Sequence, residues 1–136
     1  MREAIETGLP SLGQPFSWAV AANGMVFTAH GPVTAEGRIL DGDVSAQTEL
    51  TLRNLEAALR AAGGGMDDVV QVTLYILDVA DMKPVDAVYA RHFRQPWPNR
   101  STAVVAGLVA PGMRIELMAT AVLPVRTFEP RSGENG

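Results

Sequence analysis

The sequence predicts an α+β fold: one mixed β-sheet with two helices packed on one face, in the order β-β-α-β-α-β-β. Three observations predict it. Two short apolar runs flank Asn23-Gly24, a dipeptide suited to a tight hairpin turn. Between Asp43 and Gly63, apolar residues recur at spacings of four and three, the period of an amphipathic helix. Residues 69–77 and 114–123 alternate in the period of two that a strand requires. Each helix links two strands, so a single sheet covered on one side is the economical arrangement.

The elements follow in chain order. A short strand is expected near residues 2–5. Residues 16–22 (FSWAVAA) and 25–30 (MVFTAH) form the arms of the hairpin, and Pro32 and Glu36-Gly37 mark the loop behind it. Asp43 is placed to cap the first helix, its carboxylate accepting backbone N–H groups left free in the first turn. Thr48, Leu52, Leu55, Leu59 and Ala62 make its buried stripe, with Arg53, Glu56 and Arg60 on the wet side. Gly63-Gly64-Gly65 ends it, because glycine reaches the left-handed cap conformation without a Cβ clash.

Residues 69–77 (VVQVTLYIL) read as a strand, with Val70, Val72, Leu74 and Ile76 on one face and Gln71, Thr73 and Tyr75 on the other. Asp81 is expected to cap a second helix with Pro84 in its first turn. That helix buries Val85, Tyr89 and Phe93 and leaves His92 toward solvent. Gln95-Pro96-Trp97-Pro98-Asn99 is a loop by its prolines, and the two tryptophans, Trp18 and Trp97, read as packing or interface residues. Residues 101–106 form a strand and 107–112 a turn-rich connection. In the last strand Ile115, Leu117, Ala119 and Ala121 share one face, opposite Glu116, Met118, Thr120 and Val122. Residues 1–124 read as one domain and 125–136 as a loose polar tail. The helices cover one face of the sheet. The other carries Val, Leu, Met and Tyr with nothing left in the chain to cover it, which implies self-association.

Composition removes several functions. The chain has 136 residues, 47% hydrophobic and 19% charged, and buries roughly two thirds of its unfolded surface on folding. Without cysteine, disulfides, thiolate nucleophiles and thiolate metal sites are excluded. His30 and His92 lack a metal-ligand spacing, so no metal is expected. A net charge of −4 with singly scattered basic residues argues against a nucleic-acid partner. No apolar run follows Arg2 and none approaches the roughly 18 residues of a membrane span, so no secretory signal and no membrane partner are expected and a cytoplasmic location is the default.

Two charged residues stand out. Arg100 opens an apolar strand in Pro98-Asn99-Arg100-Ser101-Thr102, and Glu116 is the lone carboxylate within RIELMATAV. Either they form a structural ion pair across adjacent strands, or each rests on a wet face, or Arg100 faces a cleft.

Pro98-Asn99-Arg100-Ser101, the Leu108-to-Pro111 turn, Ile115-Glu116 and Ala119-Thr120-Ala121 together resemble the C-terminal signature of the RidA/YjgF/UK114 family. Asn23-Gly24-Met25 through Thr28, the Gln47/Asn54/Leu55 helix, Ala61-Ala62-Gly63 and Asp67-Asp68-Val69-Val70 match it as well, so the similarity runs from about residue 12 to 124. The resemblance implies a chorismate-mutase-like fold assembled as a homotrimer, its sheets forming a central barrel with clefts between subunits. It implies hydrolysis of small 2-imino or enamine acids to 2-keto acids and ammonia without a cofactor. Arg100 is then the carboxylate grip and Glu116 the residue that orients or deprotonates the attacking water. Thr102, where many members have cysteine, offers a backbone carbonyl to that water. Phe16 stands where many members have a cleft tyrosine, Ala29-His30-Gly31 replaces a Ser-Gly-Gln motif, and the turn before Glu116 is one residue longer. Phe16, Ala29 and His30 are accordingly candidate pocket residues that reshape substrate choice. Two further readings of the same cleft stay open: a non-catalytic keto-acid binder, and an enzyme acting on a larger enamine.

Overall fold

The structure, a computed structural model, describes residues 1–124. The expected loose tail at 125–136 lies outside the described residues. Strands β1 (Glu3–Ala4), β2 (Ala19–Ala22) and β3 (Met25–His30) form an antiparallel meander. The β2–β3 turn places Asn23 at φ 51° and Gly24 at φ 76°, the left-handed pair that the dipeptide predicts. β2 is shorter than its apolar run. Phe16, Ser17 and Trp18 stay outside the ladder, where Trp18 Nε1 donates to the Pro10 carbonyl at 2.9 Å and ties the segment to the N-terminal loop.

Helix α1 (Val44–Ala61) starts where Asp43 Oδ1 accepts from the Ala46 N–H at 2.8 Å. It stops at Gly63, whose φ of 91° lets Gly63 and Gly64 donate back to Arg60 and Leu59. Leu52, Leu55 and Leu59 are fully buried. So are three polar side chains of the same helix, Gln47, Thr48 and Thr51. The two threonine hydroxyls donate to the carbonyls one turn back.

Strand β4 (Val69–Ile76) leads through a short turn at Val79–Asp81 into helix α2 (Met82–His92). The cap falls elsewhere than expected: Asp78 accepts from the Ala80 N–H at 2.9 Å, while Asp81 makes no capping bond. The Asp81 carboxylate is instead taken by Arg114 Nη2 at 2.9 and 3.1 Å, a long-range charge pair that outcompetes the local cap. Val85, Tyr89 and Phe93 are buried as the stripe predicts. His92 does not face solvent; its Nε2 lies 2.7 Å from Glu49 Oε2 and pins α2 to α1. That contact and Arg53 hold the Glu49 carboxyl below its usual range.

Strand β5 (Asn99–Val104) begins two residues earlier than its apolar content suggests and pairs parallel with β4. Strand β6 (Ile115–Val122) inserts antiparallel between β3 and β4, giving the order β1-β2-β3-β6-β4-β5. The sheet is mixed and both helices cover one face, as the element order requires. Val26, Val72, Leu74, Ile76, Ile115, Leu117, Ala119 and Ala121 point under the helices. Val70 does not. A bulge between Val69 and Gln71 shifts the register, so Val69 takes the interior position and Val70 turns outward. The uncovered face exposes Phe27, Met118 and Val122.

Candidate functional site

β5 is the outermost strand on its side of the sheet, and Arg100 is its second residue. Its register partner is Val72, which places the side chain on the helix-covered side. From that edge the guanidinium passes beneath α2. Nη1 lies 2.8 Å from Asp86 Oδ1, and Cζ sits 4.8 Å above the centre of the Tyr89 ring. Asp86 and Tyr89 are three residues apart on one face of α2, the spacing that makes them neighbours. Together with Ala90, Trp97 and Pro98 they border a cavity of about 320 Å³ that opens onto Arg100. Among the described residues, no other ion pair or hydrogen bond engages the guanidinium, so most of its N–H fork stays available. The Tyr89 hydroxyl is buried without a partner, and desolvation, with Asp86 adding to it and Arg100 opposing, raises its pKa and keeps it protonated. A second hollow of about 350 Å³, bordered by Met66, Asp67, Phe93 and Arg94, carries charges already committed to each other, since Arg94 Nε donates to Asp67 at 3.0 Å.

Glu116 lies on β6, with its side chain on the uncovered face beside Tyr75. Partial burial raises its pKa by desolvation. The cross-strand ion pair with Arg100 does not form. β4 separates the two strands, and the two side chains leave opposite faces of the sheet. Thr102 is exposed, two residues beyond Arg100 and on the same side. Ala29 pairs with Met118 and so shares the uncovered face with Glu116 on the neighbouring strand. Phe16 is half exposed near the opposite end of the sheet order, packed edge-on against Trp18 at 4.8 Å. The candidates therefore fall into two groups within one chain: Arg100 and Thr102 at the β5 edge, and Glu116, Ala29 and Phe16 elsewhere.

His30 belongs to neither group. As a pocket residue it is a misassignment: it is 2% exposed, its partner across the ladder is Leu117, and its ring stacks on Trp18 at 5.7 Å. Strand alternation turns it inward. The Thr28 hydroxyl donates to the Trp18 carbonyl, so His30 Nε2–H must donate to Thr28 Oγ1, leaving Nδ1 buried and bare. Burial lowers its pKa from 6.5 to about 4. The folded state thus prefers neutral imidazole. Stability from this group is complete above pH 6.5 and declines between 6.5 and about 4, by on the order of 3 kcal/mol. Urea midpoints at pH 7.5 and 4.5 check this: the acid loss shrinks in His30→Gln, and an equal loss in both proteins rules it out.

Sequence reasoning passed over Asp86 and Trp97 as cavity residues and Tyr89 as the platform beneath the guanidinium. The β4-α2-β5 crossover carried a signal, since it sets the inner face of α2 above the start of β5.

Fold and site define a two-layer α+β protein with an arginine-lined cavity at an open sheet edge. The profile of the Endoribonuclease L-PSP family matches residues 9–123. Reactive Intermediate Deaminase A, chloroplastic, of Arabidopsis thaliana is 37% identical over 114 residues, covering 82% of this chain and 61% of that protein. The human 2-iminobutanoate/2-iminopropanoate deaminase is 30% identical over 125 residues, 90% of each chain. The crystal structure of E. coli TdcF with bound serine superposes with a TM-score of 0.80 at 32% identity, over 90% of this chain and 99% of that one. The chain belongs to the Endoribonuclease L-PSP family, the RidA/YjgF/UK114 family that its motifs resemble. Among the described residues, no helix is long and apolar enough to cross a membrane.

Proposed function

We propose that this protein is a cytoplasmic, cofactor-free enzyme that hydrolyses small 2-imino or enamine acids to 2-keto acids and ammonia, in clefts between the subunits of a homotrimer. The observation that carries the reading is Arg100: a guanidinium braced by an aromatic ring and a single carboxylate oxygen at the border of a cavity. One relative named a reactive intermediate deaminase, another named a 2-iminobutanoate/2-iminopropanoate deaminase, and one crystallised with serine, a carboxylate-bearing ligand, support it. The split of the candidate residues supports the intersubunit cleft. Glu116, Ala29 and Phe16 of one subunit meet Arg100 and Thr102 of the next only if the β5 edge of one copy lies against the uncovered, apolar sheet side of its neighbour. A mass in solution of three chains, from light scattering, tests this; a monomer at micromolar concentration rules it out.

In this reading Arg100 holds the substrate carboxylate. Water, positioned by the Thr102 carbonyl, attacks C2 while Glu116 takes its proton. The carbinolamine then breaks its C–N bond, the proton passes to nitrogen, and ammonia and the 2-keto acid leave. Phe16 and Ala29 wall the cleft. The imine carbon is already electrophilic, so positioning supplies much of the rate, with general-base help of about 10²–10⁴-fold. The test is to generate 2-aminoacrylate with a dehydratase and follow keto-acid release. Because burial raises the Glu116 pKa, kcat/KM is expected to fall with acid at a midpoint above 4.5, and Glu116→Gln removes that limb with most of the rate. No acceleration over the uncatalysed reaction rejects the enzyme. The second reading, a non-catalytic keto-acid binder, follows from Phe16 standing where many members have a cleft tyrosine. Keto-acid binding by calorimetry without turnover of any imine decides for it.

A further inference from the structure

We infer that Asp86 is a second recognition element of the same cavity. It receives the cationic nitrogen of a ligand whose carboxylate Arg100 holds, so the site selects zwitterionic 2-iminium and 2-amino carboxylates over 2-keto acids. This rests on the reading that Arg100 is the carboxylate grip.

A site built only to attract anions has no use for a carboxylate at its mouth, since a negative charge beside the arginine repels the incoming anion at close range. Yet Asp86 borders the cavity with Arg100, its Oδ1 is 2.8 Å from Nη1, and its side chain is 51% exposed. It is not a structural clamp in the manner of Asp81 or Glu49. It accepts no hydrogen bond from the α2 backbone or from another side chain among the described residues, and it is open to a ligand.

A 2-iminium acid carries the complementary pair. Its carboxylate and its nitrogen sit on adjacent carbons, so a carboxylate oxygen and the nitrogen lie about a hydrogen bond's length apart, the separation of Nη1 and Oδ1. With the carboxylate on the free N–H groups of Arg100, the adjacent C=NH₂⁺ faces Asp86, and each charge of the protein meets its opposite. A carboxylate next to the imine also favours its protonated form, the form most open to attack by water. The overall step balances as R–C(=NH₂⁺)–CO₂⁻ + H₂O → R–CO–CO₂⁻ + NH₄⁺. The product keto acid has lost the cation. Its ketone oxygen now faces the Asp86 carboxylate, acceptor against acceptor, which favours release.

Calorimetry with L-alanine and pyruvate, one a zwitterion and the other its deaminated counterpart, reads the selection without turnover. Asp86→Asn is expected to weaken alanine about fivefold and to tighten pyruvate by a similar factor, the modest size reflecting the exposure of the pair. Asp86→Ser repeats the test with a smaller side chain, and circular dichroism confirms that both variants fold. Tightening of both ligands overturns the inference, because Asp86 is then merely a competing counter-ion, and so does no change in either; the Arg100 reading survives both results. Binding by the wild type that Arg100→Ala leaves unaltered overturns the carboxylate grip itself, and this inference with it.

Discussion

Replacing Arg100 by alanine is expected to lower kcat/KM for a 2-imino acid by about 100-fold with the fold intact. Hydrogen bonds to a charged partner contribute about 1.5–3 kcal/mol, which alone spans roughly ten- to 150-fold. Two effects place the value toward the upper end. The fork can offer a carboxylate two parallel bonds. Removing it also leaves Asp86 without the cation 2.8 Å away, so its carboxylate faces the substrate's carboxylate end uncompensated. Arg100→Lys keeps the charge but loses the planar fork and its seat on Tyr89, so it recovers only part of the rate. Removing Asp86 as well also takes away the partner of the substrate's cationic nitrogen, so the double variant is expected not to exceed Arg100→Ala alone. Steady-state rates on enzymatically generated 2-aminoacrylate check all three. Wild-type activity in Arg100→Ala removes the site from this cavity.

The largest effect on stability is expected from Gln47→Leu, at about 4 kcal/mol. Gln47 is 1% exposed. Its Nε2 donates to the Leu40 carbonyl at 3.0 Å and the Gly112 carbonyl at 2.8 Å, and its Oε1 accepts from the Arg114 N–H at 2.8 Å. One amide therefore ties α1 to the loop before it and to the entry of β6, two residues ahead of Glu116. Leucine fills similar space but leaves two carbonyls and one N–H unpartnered, each costing about 1–3 kcal/mol. Asn54, two turns along α1, does the same for the Gly31 and Val33 carbonyls at 3.1 and 3.0 Å. The urea midpoint at fixed protein concentration measures the loss, and a change below about 1 kcal/mol refutes the role. Gln47→Glu separates shape from bonding, because it keeps the acceptor for Arg114 and loses both donated bonds.

Local signals read well where local physics decides. The Asn23-Gly24 turn, the Asp43 cap, the Gly63 stop and the alternation along β6 each follow from the dihedral and hydrogen-bonding preferences of a few neighbouring residues. Readings failed where a distant partner competed. Asp81 left its cap for Arg114, His92 turned from solvent to Glu49, and the bulge at Val69–Gln71 moved Val70 outward. Within the site, Arg100 and Glu116 were legible because a charge inside an apolar strand stands out. Asp86 was not, because one acid among the polar residues of a helix looks like solvated surface until the helix is docked.

By itself, then, the sequence determined the element order, the mixed sheet with both helices on one side, the apolar face left bare, and the family. These depend on periodicity and on turn and cap chemistry, all short-range. Only the tertiary structure decided that Arg100 and Glu116 leave opposite faces of the sheet, that His30 is interior, and that Arg100 rests between Asp86 and Tyr89. Those facts depend on strand order and on the docking of α2 against the β5 edge. Residues far apart in the chain become electrostatic neighbours there, and no local pattern encodes their distance.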